Sequence, residues 1–292
     1  MNLVARGAEP LTALARGTTA TYGRLTAAQR MLPQFLICGA QRGGTTSLFQ
    51  TLARHPDVLP PAFTKGVHYF DSSTNYARGA AWYRGHFPIR SVAALRARSG
   101  RSITGEASPY YMFHPLAAAR IARDLPEAQV VVLLRDPVER AYSAHKQETG
   151  RGFETETFER ALALEDERLE GEEERIRSDP CYDSFHHQHH AYRRRGYYAT
   201  QLERLFHAVG RERVLILETE RVFADDGTSW NVLLHHLGLA SWRPRELPRV
   251  NARPSAGMPA PIRRGLELEF ASRDADLARL LGHQPAWRED RA

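Results

Sequence analysis

Lysine is nearly missing from this chain of 292 residues: Lys65 and Lys146 are the only two, and arginine supplies the rest of its 40 cations. Against 34 acids that leaves a net charge of +6, which is compatible with anionic ligands. No basic stretch is interleaved with aromatics, so nucleic-acid binding is not expected. Cysteine is equally scarce, at two, and Cys38 lies in an apolar run, so it reads as a buried thiol and not as half of a disulfide. That usage fits a reducing, cytoplasmic setting. No apolar run approaches the roughly 20 residues of a membrane span, and the N-terminus lacks a charged-then-apolar leader pattern. Internal repeats are missing too, and 42% apolar with 25% charged residues is ordinary for a globular domain.

What is present is arranged around Phe35 to Leu52, FLICGAQRGGTTSLFQTL. Phe35-Leu36-Ile37-Cys38 has the make-up of a buried strand, and Leu48, Phe49 and Leu52 fall on one helical face. The glycine-rich turn between them aims backbone N–H groups and a helix N-terminus at one place, which is an anion site. Gly39 and Gly44 have the spacing of the glycines in the nucleoside-triphosphate loop G-x-x-x-x-G-K-[ST], but Thr45 stands where that loop has lysine. Without that lysine the γ-phosphate loses its cation, which argues against an ATPase or kinase. Arg42 keeps a cation in the loop, so a nucleotide with a shorter 5′ group fits better. An ordinary glycine turn is the plain alternative; the strand before and the helix after favour the anion site.

The remaining chain alternates strands with helices. Residues 1–32 read as an N-terminal arm, frayed, lying as a helix on the domain, or touching a membrane surface. Residues 33–292 form one domain. Lys65 to Asp71 is a short extended piece, Tyr76 to Phe87 a helix, Ser102 to Glu106 a strand, and Pro115 to Leu125 a helix with proline near its start. Val130 to Leu134, VVVLL, is a strand covered on both faces. It runs into Arg135-Asp136-Pro137, where Asp136 is a good N-cap and Pro137 a good first helical residue. Phe153 to Ile176, with Glu172-Glu173-Glu174, reads as a solvated helix, and Cys181 to Arg195 as irregular. Helix Tyr197–Val209, strand Val214–Leu217, helix Trp230–Leu239, and helical stretches near Ile262–Phe270 and Asp276–Leu281 complete the chain. The expected fold is α/β: a single domain with a central, mostly parallel sheet flanked by helices.

Taken together, GAQRGGTTSL at 39–48, KGVHYFD at 65–71, GEASPYY at 105–111, RDPVERAYSAH at 135–145 and RRGYYATQLERLF at 194–206 resemble one family. It is the sulfotransferases that use 3′-phosphoadenosine 5′-phosphosulfate (PAPS), in the branch of bacterial enzymes and heparan sulfate sulfotransferases. The resemblance runs from Leu36 to about Gly282 and implies a P-loop-like sulfotransferase fold, with PAPS as donor, 3′,5′-bisphosphoadenosine (PAP) as product, and no metal. It implies that Arg42, Gly43, Gly44, Thr45, Thr46 and Ser47 hold the 5′-phosphosulfate, and that Arg135 and Ser143 hold the 3′-phosphate. A guanidinium and a hydroxyl suit such a dianion. For Arg135 alone a surface ion pair is the alternative, but sites in open α/β sheets lie at strand carboxyl ends. Tyr198 stands near the adenine or packs in the core, and Arg195 and Gly196 flank the 3′-phosphate.

The implied reaction moves a sulfuryl group to a hydroxyl or amine of a glycan, lipid or secondary metabolite. The acceptor must lose a proton, so a base is needed. Relatives carry a glutamate at the position of Gly66, and Gly66 cannot serve. His68 is the expected base, with Glu106 in reserve or as a structural carboxylate. Lys65 contacts the sulfuryl group or is solvated, and Asp71 and Tyr110 line the acceptor pocket. Ala107 replaces a lysine that in relatives meets an anionic glycan, which weakens the case for a polyanionic acceptor. His186-His187-Gln188-His189-His190 invites a metal reading, but neighbours in sequence seldom converge on one ion; an acceptor-facing loop is expected there. Asn251 to Pro261, with Arg253, reads as a mobile segment closing over the nucleotide. Two other classes compete: a P-loop phosphotransferase, opposed by Thr45, and a binding module that keeps the PAPS site but has lost catalysis, motivated by Gly66.

Overall fold

The computed structural model describes residues 22–62, 64–97, 100–224, 227–244 and 257–289. Among these residues the strands are β1 (Phe35–Gly39), β2 (Val58–Leu59), β3 (Ile103–Ala107), β4 (Gln129–Leu134) and β5 (Val214–Glu218). Helices of eight residues or more are α1 (Thr45–Leu52), α2 (Ala117–Asp124), α3 (Pro137–Arg151), α4 (Phe158–Leu169), α5 (Tyr198–Val209), α6 (Thr228–His236) and α7 (Ala260–Leu281).

The strands form one sheet in the order β2-β3-β1-β4-β5, with every pair parallel. Their apolar runs follow from a sheet buried on both faces. Leu36, Cys38, Val130, Val132 and Leu134 enter one core with Ile121 of α2 and Tyr198, Leu202 and Leu205 of α5. Phe35, Ile37, Val131 and Leu133 enter the other, with Leu48, Phe49 and Leu52 of α1 and Trp230, Leu233 and Leu234 of α6. The residues Val130 to Leu134 are all 0% exposed. Each contributes about 1.5–3 kcal/mol on burial, so β4 anchors the sheet. A third cluster joins α3, α4 and α7 through Val138, Ala141, Phe158, Ala161, Leu266 and Phe270. Strand order places the carboxyl ends of β3, β1 and β4 side by side.

Several elements depart from expectation for local reasons. The helix expected over Tyr76–Phe87 is broken at Gly79 (φ 81°) into Ser73–Ala77 and Ala80–Arg84. The acidic stretch is α4 and a short helix Glu172–Ser178, separated at Gly171 (φ 69°). It is not simply solvated: Glu165 is 0% exposed and accepts the amides of Arg193 (2.7 Å) and Arg194 (2.8 Å). The two C-terminal stretches are one helix, α7, whose buried Asp274 accepts from Trp287 Nε1 (3.1 Å) and Arg288 Nε (2.5 Å). Residues 22–32 pack on the domain, the Met31 amide donating to Pro88 O (2.8 Å) and Arg30 to Phe87 O (2.7 Å). Of the closing segment expected at 251–261, residues 251–256, with Arg253, lie outside the described residues. Both cysteines are free, Cys38 buried and Cys181 exposed. Among the described residues no helix is long and apolar enough to cross a membrane.

Candidate functional site

At the carboxyl end of β1 the chain turns through Ala40–Gly44 into α1. Gly44 caps the helix at φ 90°, where a side chain is strained. A Cβ on Gly43 would stand 2.5 Å from Leu133 O and 3.0 Å from Ala40 O, so the turn presses on β4 too closely for any other residue. The first intrahelical bond is Leu48 N–H to Gly44 O (3.1 Å). The amides of Thr45 to Ser47 therefore precede the helical ladder and lie at the positive end of the helix dipole.

The end of β4 meets this loop directly. Arg135 Nη1 donates to the Arg42 carbonyl (3.1 Å). Arg42 in turn donates from Nε to Ser143 Oγ (2.9 Å) and from Nη1 to Gln147 Oε1 (2.9 Å), both on α3. Arg42, Arg135 and Ser143, expected to serve opposite ends of one ligand, thus form a single hydrogen-bonded unit. Asp136 caps α3 through Oδ1, which accepts Val138 N–H (2.9 Å), and Pro137 is the first helical residue, both as expected. The sequence reading missed Gln147 and Thr219. Thr219 Oγ1 donates to Gly43 O (2.6 Å) or Leu134 O (2.7 Å), joining the end of β5 to both other strands. Its position just past a strand end was the available signal. Tyr198 is 2% exposed and donates its hydroxyl to Arg135 O (2.8 Å). Of the two roles left open for it, this geometry gives core packing and support of Arg135.

The end of β3 is built differently. The amides of Val67, His68 and Tyr69 are captured in turn by Glu106 Oε2 (2.6 Å), Ser108 Oγ (3.1 Å) and the Tyr111 hydroxyl (2.9 Å). The motifs KGVHYFD and GEASPYY are thus two halves of one structure. Glu106 is 0% exposed and also accepts from Ser108 Oγ (2.7 Å), Tyr83 OH (2.8 Å) and Tyr111 OH (2.8 Å). Burial raises its pKa, and the donated hydrogen bonds oppose the rise. With both oxygens engaged inside the core, Glu106 has no path to an acceptor proton, and the reserve role as base is withdrawn on that ground. Gly66 has no space for a side chain: a Cβ would lie 2.6 Å from Ala107 O and 3.0 Å from Ser108 Oγ.

His68 stands at φ 52° with its Nδ1 on Asp71 Oδ2 (2.9 Å). Its side chain is 47% exposed while that of Asp71 is 1% exposed, so the imidazole faces outward from a buried carboxylate. Burial lowers the His68 pKa, but the Asp71 charge and hydrogen bond outweigh it and hold the value above 6.5. Lys65 lies half-buried near Arg42, and burial together with that guanidinium brings its pKa down to about 8.

Farther out, Arg195 is 4% exposed and donates to His187 O (2.9 Å), Gln188 O (2.6 Å) and Gln41 Oε1 of the loop. It lies over Tyr110 at 4.7 Å. Residues 181–195, expected to be irregular, contain a helix, Phe185–His189, capped by Ser184. His187 turns inward, shares a hydrogen bond with the Tyr110 hydroxyl (2.7 Å) and stacks on Phe113 at 4.2 Å. Burial drives its pKa down to about 2, so it is neutral. His189 bonds Glu148 (2.9 Å) and His190 bonds Phe153 O (2.9 Å). Among the described residues no group of three His, Cys, Asp or Glu is placed to hold a metal ion.

Comparison with known proteins bears on this geometry. The membrane-associated sulfotransferase kil1 of Dictyostelium discoideum is 37% identical over 39% of this chain and 22% of its own length. The human heparan sulfate glucosamine 3-O-sulfotransferase 3B1 is 38% identical over 44% of this chain and 30% of its own length. This chain therefore matches less than a third of either relative. The crystal structure of a sulfotransferase from Alicyclobacillus acidocaldarius aligns with 88% of this chain and 99% of its own, at 28% identity and a TM-score of 0.64. The profile of the sulfotransferase family matches residues 33–244, from the strand before the glycine loop to the end of the segment after α6. With that match spanning the sheet and every strand end described above, the chain belongs to the sulfotransferase family.

Proposed function

We propose that the chain transfers a sulfuryl group from PAPS to a hydroxyl or amine acceptor, with PAP as the second product. The observation that carries this reading is the junction of β1 with β4. There a glycine cradle at a helix N-terminus adjoins Arg42, Arg135 and Ser143, a donor set with capacity for two separate anions. A Cβ at Gly43 would stand 2.5 Å from Leu133 O, so the turn that forms the cradle lies this close to β4 only with glycine there. PAPS supplies, when bound, an activated sulfate on a 5′-phosphate leaving group. The loop amides of Thr45 to Ser47 and the Arg42 guanidinium hold its 5′ end, and Arg135 with Ser143 takes the 3′-phosphate. In an in-line transfer the bond from sulfur to the acceptor oxygen or nitrogen forms as the bond from sulfur to the phosphate oxygen breaks. Loop donors and Lys65 favour the charge gathering on the departing side. His68, oriented through Nδ1 by Asp71, takes the acceptor's proton at Nε2.

The acceptor is a hydroxyl or amine of a glycan, lipid or secondary metabolite. Heparan sulfate is named among the substrates of relatives, but Ala107 is 0% exposed and brings no cation to the acceptor side, which favours an acceptor less charged than a polyanion. Calorimetry with PAP and with adenosine 5′-phosphate tests the donor reading. PAP is expected to bind at least tenfold more tightly; equal affinities overturn the assignment of a 3′-phosphate site. Incubation with labelled PAPS and candidate acceptors, read by mass, separates transfer from the second reading, a PAP-binding protein without turnover, which the closed position of Gly66 favours.

A further inference from the structure

Glu106 is the most heavily hydrogen-bonded side chain at the site, and it touches neither anion receptor nor acceptor side. Ser108 Oγ accepts the His68 amide and the Tyr111 hydroxyl accepts the Tyr69 amide, so each spends its proton on Glu106. Tyr83 OH and the Val67 amide are donors as well. Four donors meet a group with about four lone-pair directions, a match that only the carboxylate can make. Protonation, or an amide in its place, would set a donor against a donor. The turn it holds needs holding: His68 is not glycine, and a positive φ at such a residue persists only where the surrounding structure imposes it.

We infer that Glu106 is the positioning residue of His68, fixing the left-handed turn that presents the imidazole by accepting from Val67 directly and from His68 and Tyr69 through Ser108 and Tyr111. Through one carboxylate the end of β3 controls three successive amides of the segment that carries the base. Glu106 acts on His68 in a second way, since its negative charge favours the imidazolium. The other charged groups facing His68 are Asp71, which acts in the same direction, and Lys65, which opposes both. Around Glu106 itself stand Tyr83, Tyr111 and the Cys38 thiol, all neutral, with pKa values pushed up by burial. This role rests on the sulfuryl-transfer reading, in which His68 is the base.

Glu106→Gln keeps shape and volume but reverses the hydrogen-bonding sense of one atom. In the folded variant the His68 imidazole, followed by NMR and identified with His68→Gln, is expected to titrate at lower pH than in the wild type. The kcat/KM should fall on the order of a hundredfold through misplacement of the base, with PAP affinity within twofold of wild type. Tyr83→Phe removes a single donor, leaves ring packing intact, and is expected to move both readouts the same way by less. It decides the matter should the glutamine variant not fold. A folded Glu106→Gln, or Tyr83→Phe in its absence, with wild-type His68 titration and turnover overturns the inference, since loss of stability alone would leave the imidazole unmoved. Absence of PAP binding by the wild type would defeat the functional reading alone, because the imidazole titration is read without nucleotide.

Discussion

Two strand ends of one sheet use backbone amides in opposite ways. After β1, the glycine turn enters α1 and sets the amides of Thr45 to Ser47 ahead of the helical ladder, where a helix N-terminus receives anions. After β3, the amides of Val67 to Tyr69 are each consumed by a side chain of the 106–111 segment. The first end sets its amides at a helix N-terminus and ties its cations, Arg42 and Arg135, to Ser143, Gln147 and the loop backbone. The second is sealed and offers one outward group, His68. Under the proposed function, binding and proton transfer rest on different physics within one site, and perturbations should separate them.

The largest separation is expected at His68. Replacement by alanine removes the proton acceptor and should lower turnover about 10²–10⁴-fold, while calorimetry finds PAP affinity unchanged; near-normal turnover would remove His68 from the base role. The converse variant is Arg135→Ala with Ser143→Ala. Losing two hydrogen bonds to a dianion, each worth about 1.5–3 kcal/mol, should weaken PAP about a hundredfold or more. Affinity within threefold of wild type would break the assignment of the open end.

The open end was legible in sequence because its chemistry is local. Gly43, Gly44 and Arg42 lie within a few residues of one another, and Asp136-Pro137 announces a helix start by itself. The sheet was legible for a similar reason, since a strand buried on both faces is an unbroken apolar run. The sealed end was legible only in part: Glu106 read as a base in reserve or a structural carboxylate, but its partner Val67 lies 39 positions away and only the fold names it. Glu165 hid in an acidic stretch in the same way, its partners Arg193 and Arg194 lying 28 and 29 positions on. His187 read as part of an acceptor-facing loop, and only the fold brings its ring to the Tyr110 hydroxyl, 77 positions before it. Gln147 was overlooked because only the fold brings it to Arg42.

Gly66 tests how tightly the second end is sealed. Its missing side chain looks in sequence like the deletion of a relative's glutamate, which suggests that restoring glutamate would restore a base. The geometry argues otherwise, since even a methyl group would collide with Ala107 O, a backbone atom that cannot move aside alone. Gly66→Ala is expected to lower stability by about 1–3 kcal/mol, seen as a lower thermal midpoint, and to reduce kcat/KM roughly tenfold as the His68 turn shifts. Gly66→Glu should do worse. A gain in turnover for Gly66→Glu would mean that the segment yields easily and the contrast between the two ends is overdrawn.

The finest test uses pH, because two groups of the 65–71 segment, His68 and Lys65, need opposite ionisation under the proposed function. His68 works as a base only when neutral, and Asp71 holds its pKa above 6.5, so kcat/KM should rise as pH climbs through that raised value. Lys65 contributes only when charged. Burial and Arg42 set its pKa at about 8 in the free enzyme, which is the state that kcat/KM reports, so activity should fall again above that pH. The profile is then a bell with one limb from each group. Asp71→Asn removes the charge that favours imidazolium and should move the acid limb to lower pH while lowering the plateau. Lys65→Arg keeps the cation at any accessible pH and should abolish the alkaline limb, giving roughly a tenfold advantage over wild type one pH unit past the lysine's pKa. An alkaline limb that persists in Lys65→Arg would assign it to another group and leave Lys65 a solvated neighbour of the loop.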